Sequence, residues 1–335
     1  MPIPPRDNEH VIALPNGRQL AYASMGNKSS RTLFLFFSGL FSIGSISRLP
    51  PIVEKLDAHM LAPTPTGMGK TSPRIPGGRS YAANLVDDIR RLIEAEHPDG
   101  IDALYIGGGS YGTVMAQILY GAGYDVFPDS AKIKGCLLVS GFSPYKYDTD
   151  YAQSLTWTNW VAVGPPSMMP FRMLQRAMRP AIALKLRTVE DAKVMIMNML
   201  YSKLEAEERA TLDQHLAENQ MTFDEHVTYL AENMVRSVEH TWDGFMEVSE
   251  VLHSDWGFDP RTLDEAHQKP ILLVSALADE VGGSRNRWML ENYKNAVGRD
   301  IKGGHAAGLA KMGELWQELV DLCGSHNGSG DSEKP

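Results

Sequence analysis

The sequence predicts an α/β fold: a mostly parallel sheet flanked by helices, interrupted by one all-helical insertion. Three observations carry this. Strand-sized apolar runs alternate with helical patterns between residues 18 and 143. The alternation stops after Pro144, and no convincing strand follows until about 260. Strand-then-helix order returns at Pro270.

Taken in order, Arg18 to Ser24 reads as a strand after the Asn16-Gly17 turn. Thr32 to Phe37 is a continuous apolar run, as expected of a strand buried on both faces. Ile52 to Leu56 is a short helix, and His59 to Ala62 the next strand. Ser80 is placed to cap a helix running to Glu96, with Ala83, Val86, Ile89 and Ile93 at helical spacing. Ala103 to Ile106 is a strand, Tyr111 to Tyr120 a helix and Ile133 to Val139 a strand. In the insertion, helices are expected over Gln153–Trp160, Met169–Arg179, Val189–Leu204, Glu205–Glu218 and Phe223–Val251. Beyond it come a strand at Ile271–Ser275, a helix at Arg285–Tyr293, a short strand at Arg299–Ile301 and a closing helix at Glu314–Cys323. The small, polar residues that follow are expected to be disordered.

Composition narrows the function. A chain of 335 residues with a formal net charge of −9 is not built to grip nucleic acid. No apolar stretch approaches the ~20 residues of a membrane span. Two cysteines, Cys136 and Cys323, make no disulfide framework. Met1 to Arg6 lacks the cationic and apolar regions of a signal peptide, so a cytoplasmic location is expected. No cofactor or metal is implied. The expected partner is a small-molecule substrate, and nothing in the sequence excludes a homodimer.

On a parallel sheet, ligands bind beyond the carboxyl ends of the strands. There the chain places Gly108-Gly109-Ser110-Tyr111-Gly112, a G-x-S-x-G pattern with a strand before and a helix after. Such a turn forces the serine into strained backbone and needs small neighbours. The alternative is a glycine-rich turn kept for packing. A serine nucleophile needs a base, and the base an orienting acid. The strand ending at Ser275 leads to Asp279, the natural acid, with Glu280 as first substitute and Asp148 or Asp150 next. His305 follows the last short strand through Lys302-Gly303-Gly304, and paired glycines let a side chain swing over a neighbouring loop. The chain order Ser110, Asp279, His305 is one known order of this triad. Oxyanion donors are expected from the Tyr111 N–H and from the loop after Phe37, at Leu40 or, second, Phe41, with Gly39 permitting close approach.

These residues resemble the α/β-hydrolase fold superfamily, in its capped serine-hydrolase branch. The resemblance implies an eight-stranded type of sheet, a core at 1–143 and 261–325, a helical cap at 144–260 and a tail at 326–335. Ala62-Pro63-Thr64-Pro65-Thr66-Gly67-Met68-Gly69-Lys70-Thr71 is similar to the superfamily's A-P-D-R-P-G-x-G-x-S turn, with Thr64 and Pro65 replacing aspartate and arginine. Ser38-Gly39 stands where many members carry His-Gly. Serine at position 110 excludes the dehalogenase and epoxide hydrolase chemistry of relatives that use aspartate there. The resemblance implies a Ser110–His305–Asp279 hydrolase of an ester, lactone or thioester. The same triad serves carbon–carbon bond hydrolysis, cyclisation and acyl transfer, and a catalytically silent ligand-binding member is the rival from another class.

The insertion holds 10 of the 17 methionines. Met168 and Met173, with Gly39 and Phe41, are the substrate contacts expected here; helix-core filling is the plainer use of most of the ten. Arg172, Arg176 and Arg179 are spaced to share one helix face, either solvated or suited to an acidic surface.

Overall fold

The structure, a computed structural model, describes residues 3–202, 204–278, 285–305 and 307–328. Eight strands form one sheet: β1 (Glu9–Ala13), β2 (Gln19–Gly26), β3 (Thr32–Phe37), β4 (His59–Pro63), β5 (Ala103–Gly109), β6 (Ile133–Val139), β7 (Ile271–Ala276) and β8 (Ala296–Ile301). Their order is β1-β2-β4-β3-β5-β6-β7-β8. β2 runs antiparallel to both neighbours, and every other pair is parallel.

β3 explains why its sequence is apolar throughout. Leu33, Leu35 and Phe37 enter the cluster on one face of the sheet, and Phe34 the cluster on the other. A strand covered on both faces has no solvent side for polar residues. On the first face lie α2 (Tyr81–Glu96) and α3 (Gly112–Tyr120). On the second lie α1 (Pro51–Lys55) and α11 (Met312–Gly328), whose Trp316 is fully buried. Ser80 caps α2 as its position requires, accepting the Ala83 N–H at 3.2 Å. β1 has no counterpart in the sequence reading. It is five residues long, half-exposed and begins Glu9-His10, so it shows too little alternation to be seen.

Between β6 and β7 the chain forms α4 (Trp157–Val163), α5 (Met173–Lys185), α6 (Val189–Ile196), α7 (Ala206–Glu218), α8 (Phe223–Ser237) and α9 (Asp243–His253). All of them except α4 contribute to a third apolar cluster that includes Ile196, Leu212, Val227 and Phe245. Several helix boundaries differ from expectation. α5 starts late because Phe171 and Arg172 adopt left-handed backbone, with φ of 57° and 56°. Arg172 is therefore off the helix and does not share a face with Arg176 and Arg179; it pairs with Glu250 at 2.7 Å. α6 loosens into a wider turn at Met197–Tyr201. The single helix expected over 223–251 is two, because the Ser237 carbonyl accepts the Gly69 N–H at 2.7 Å and the Thr241 hydroxyl accepts the Asp243 N–H at 3.1 Å. α11 continues to Gly328, beyond Cys323.

Candidate active site

The site is built from the ends of four strands, β3, β5, β7 and β8, on one edge. β5 delivers Ser110 with φ of 52°, the left-handed region that an L-residue enters only under constraint. The constraint is visible on every side. Ser110 N–H donates to the Val139 carbonyl at 2.8 Å. The Ser110 carbonyl accepts from the Thr113 hydroxyl at 2.6 Å, and the same hydroxyl accepts the Phe142 N–H at 3.1 Å. Thr113 thus ties the turn to the loop after β6, a role that no sequence pattern marked. Gly112 is packed against β3: a Cβ there would lie 2.0 Å from the Phe37 carbonyl oxygen. Ser110 is left half-exposed at the head of α3.

The register brings the loop after β3 directly to this serine. Phe37 pairs with Gly108, and the chain then turns so that a Cβ on Gly39 would stand 3.3 Å from the Ser110 Cβ. Only glycine fits without displacing one or the other. Phe41 has φ of 55°, so the loop is strained as well. Among the described residues, neither the Leu40 nor the Tyr111 N–H donates to a protein acceptor. The Tyr111 ring turns away into the core, 3 % exposed, where burial and the neighbouring Tyr81 push its phenol pKa well up. Ser38 replaces the usual histidine and is half-buried. Thr64, in place of the usual aspartate, accepts the Gly44 N–H through its hydroxyl at 2.9 Å.

Leu40 and Phe41 also join the sheet to the insertion. Leu40 packs against both a core cluster and the insertion's cluster. Phe41 is buried and stacks on Phe245, ring centres 5.3 Å apart. The turn 66–71 is held from the same side, with the Gly244 N–H donating to the Gly67 carbonyl at 2.8 Å. Met168 and Met173 are 59 % and 56 % exposed.

β7 and β8 bring the other two loops together. Leu277 N–H donates to the Ile301 carbonyl, and Ala278 N–H to the Gly303 carbonyl, both at 2.9 Å. Asp279 and Glu280 follow at once and lie outside the described residues. His305 is half-buried at the end of the β8 loop. Of the substitute acids, Asp148 is buried and accepts from the Ser143 hydroxyl at 2.5 Å, while Asp150 is exposed and accepts from Gln153. Beside the histidine loop a cavity of about 280 Å³ has mixed walls, apolar at Leu204, Leu212 and Leu309 and charged at Glu208, Arg299 and Lys302, with Tyr201 and His226 at hydrogen-bond distance, 2.9 Å. Burial lowers the His226 pKa to about 4. Neither Ser110 nor Gly39 lines this cavity.

A Ser–His pair elsewhere in the sheet gives a useful contrast. Ser24 Oγ and His59 Nε2 are 2.8 Å apart, and His59 Nδ1 is 2.9 Å from His97 Nε2. His59 opens β4, so the pair sits at the amino end of the parallel strands, opposite Ser110. Ser24 is 5 % exposed and His59 fully buried, so no substrate carbonyl can reach the hydroxyl.

The sheet order, the strained serine after β5 and the adjacent β3 loop together decide the architecture. The fold is that of the α/β-hydrolases. Among solved structures, the chain is similar to a bromoperoxidase from Bacillus anthracis, with a TM-score of 0.61 at 13% identity, covering 94% of this chain and 99% of that one. It is similar to an esterase from Exiguobacterium antarcticum, with a TM-score of 0.58 at 13% identity over 93% and 98% of the two chains. It is also similar to an esterase from a Rhodococcus species, at 0.56 and 14% over 95% and 99%. No family model matches the sequence, and no curated protein matches it. For an α/β-hydrolase fold the chain is divergent, and the likeness lies in the backbone path.

Proposed function

We propose that the chain is a serine hydrolase acting on an ester, lactone or thioester of a medium-sized apolar molecule. The observation that carries this is the left-handed Ser110, so close to the Gly39 loop that a Cβ at position 39 would stand 3.3 Å from the Ser110 Cβ. Two further observations support it: the Leu40 and Tyr111 N–H groups, which donate to no acceptor among the described residues, and the His305 loop bonded to the strand end that precedes Asp279.

In this reading Ser110 Oγ attacks the carbonyl carbon while His305 takes its proton. Asp279 orients the imidazole and stabilises the imidazolium. The Leu40 and Tyr111 N–H groups receive the oxyanion, where losing one donor costs ~10²–10³ in rate. The tetrahedral adduct collapses as His305 returns the proton to the leaving oxygen or sulfur. Water, deprotonated by His305, then releases the acid from the acyl-enzyme. The segment 144–260 acts as a cap over this edge, since it leaves after β6 and returns before β7. Turnover of p-nitrophenyl acetate, butyrate and octanoate by the wild type and Ser110→Ala tests the proposal. Hydrolysis by the wild type alone is expected, and equal hydrolysis by both would remove Ser110 as nucleophile.

A further inference from the structure

The peptide unit between Gly303 and Gly304 is held at both ends. Its carbonyl accepts the Ala278 N–H at 2.9 Å, from the loop that leads to Asp279. Its N–H donates to Glu208 Oε1 at 2.9 Å, from the first turn of α7 in the insertion. Glu208 Oε2 meanwhile accepts the Glu205 N–H at 3.0 Å, closing a capping box at the start of that helix. One half-buried carboxylate therefore serves two donors, one on its own helix and one 96 residues away.

The geometry matters because this peptide unit lies only one peptide away from His305. A peptide plane fixed by one hydrogen bond can still rock about it; fixed at both its C=O and its N–H, it cannot turn without breaking both. Gly303 is at φ of +112°, and a Cβ there would lie 2.3 Å from Glu208 Oε1, so the loop and the carboxylate are fitted closely. The neighbouring Lys302–Glu207 pair, at 2.8 Å, joins the same two segments but is exposed on both sides and adds little.

We propose that Glu208 is a positioning residue for His305, making the seating of the insertion a condition for a correctly aimed general base. The proposal rests on the hydrolase reading above. Glu208 touches no substrate in this scheme; it acts through the Gly303–Gly304 peptide, which fixes the path of the chain into His305.

Three variants separate this role from ordinary helix stability. Glu208→Ala removes both hydrogen bonds. Glu205→Ala removes the reciprocal half of the capping box and leaves the bond to Gly304 in place. Glu208→Gln keeps an amide oxygen for the Gly304 N–H. The measurements are melting temperature, kcat and KM on p-nitrophenyl butyrate, and the rate of labelling by a fluorophosphonate. Expected are matched losses of melting temperature in Glu208→Ala and Glu205→Ala. Only Glu208→Ala should also lose about 10- to 100-fold in kcat and labelling rate, with KM little changed. Glu208→Gln should recover most of the rate. A kcat that falls equally in Glu205→Ala and Glu208→Ala, in step with melting temperature, overturns the proposal, as does full activity in Glu208→Ala. A wild type that takes no label and turns over no ester removes the hydrolase reading and the positioning role together, an outcome distinct from either of these.

Discussion

The turn around Ser110 allows its glycines to be ranked, and the ranking can be measured. Gly112 has no space: an added Cβ would lie 2.0 Å from the Phe37 carbonyl oxygen, 2.6 Å from its carbon and 2.7 Å from the Ser38 oxygen. These are backbone atoms of a central strand, so nothing flexible can move aside. Restoring ordinary contact needs a shift on the order of 1 Å between α3 and the end of β3. Gly109 is different, since the nearest atom to its Cβ is the Phe36 ring edge at 3.6 Å, ordinary contact. Gly112→Ala should therefore cost the upper part of the ~1–3 kcal/mol typical of overpacking, or more. Gly109→Ala should lie between neutral and ~1 kcal/mol stabilising, through the unfolded chain. Because the shift in Gly112→Ala carries Ser38 and Gly39 away from Ser110, its fluorophosphonate labelling should slow by about 100-fold in whatever fraction remains folded. Urea denaturation and labelling kinetics on both variants are the assay. Equal stabilities, or a Gly112→Ala protein that labels at the wild-type rate, would refute this account of the turn.

Asp279→Asn should lower turnover by about 10⁴-fold by favouring the wrong histidine tautomer, while Glu280→Gln stays near wild type; the reverse pattern in kcat would move the acid to Glu280. Stability should fall in acid for a reason remote from the site: burial, then the neighbouring His97, depresses the His59 pKa from 6.5 to about 4. The unfolded chain then binds the extra proton between those values, so the contribution is intact above pH 6.5 and is lost as pH falls toward 4, by roughly 3 kcal/mol. Urea midpoints at pH 7.5, 6, 5 and 4 check this, and a flat profile in that window contradicts it. Adding Phe171→Asp, at a side chain 82 % exposed, should leave both stability and ester turnover within a factor of two; loss of turnover there would show that the rim of the insertion meets the substrate.

The parts of the fold legible in the sequence are those set by short-range patterning. The run Thr32 to Phe37 is β3 residue for residue, because burial on both faces leaves an unbroken apolar signature. The G-x-S-x-G turn was legible because a left-handed serine needs small neighbours within two residues. What escaped notice depends on contacts across the chain. The helix expected over 223–251 breaks because the 66–71 turn captures its carbonyl, and nothing local to 237 announces that. Thr113 looks like any helix residue until its hydroxyl is seen between Ser110 and Phe142. Glu208 reads as an N-terminal helix acid, and its bond to Gly304 appears only once α7 and β8 are brought together. Phe41 reads as a loop residue, and its stacking on Phe245 in the insertion's apolar cluster appears only once the two segments are brought together. The Ser24–His59 pair shows the converse, a catalytic-looking hydrogen bond whose place in the sheet denies it a substrate.

The central claim is that Ser110 forms a covalent acyl intermediate. The most direct measurement is mass spectrometry of the intact and digested protein after reaction with a fluorophosphonate. The account predicts one adduct per chain, located on the peptide containing Ser110 and absent from Ser110→Ala. An unmodified wild type, or an adduct that persists in Ser110→Ala, would contradict it.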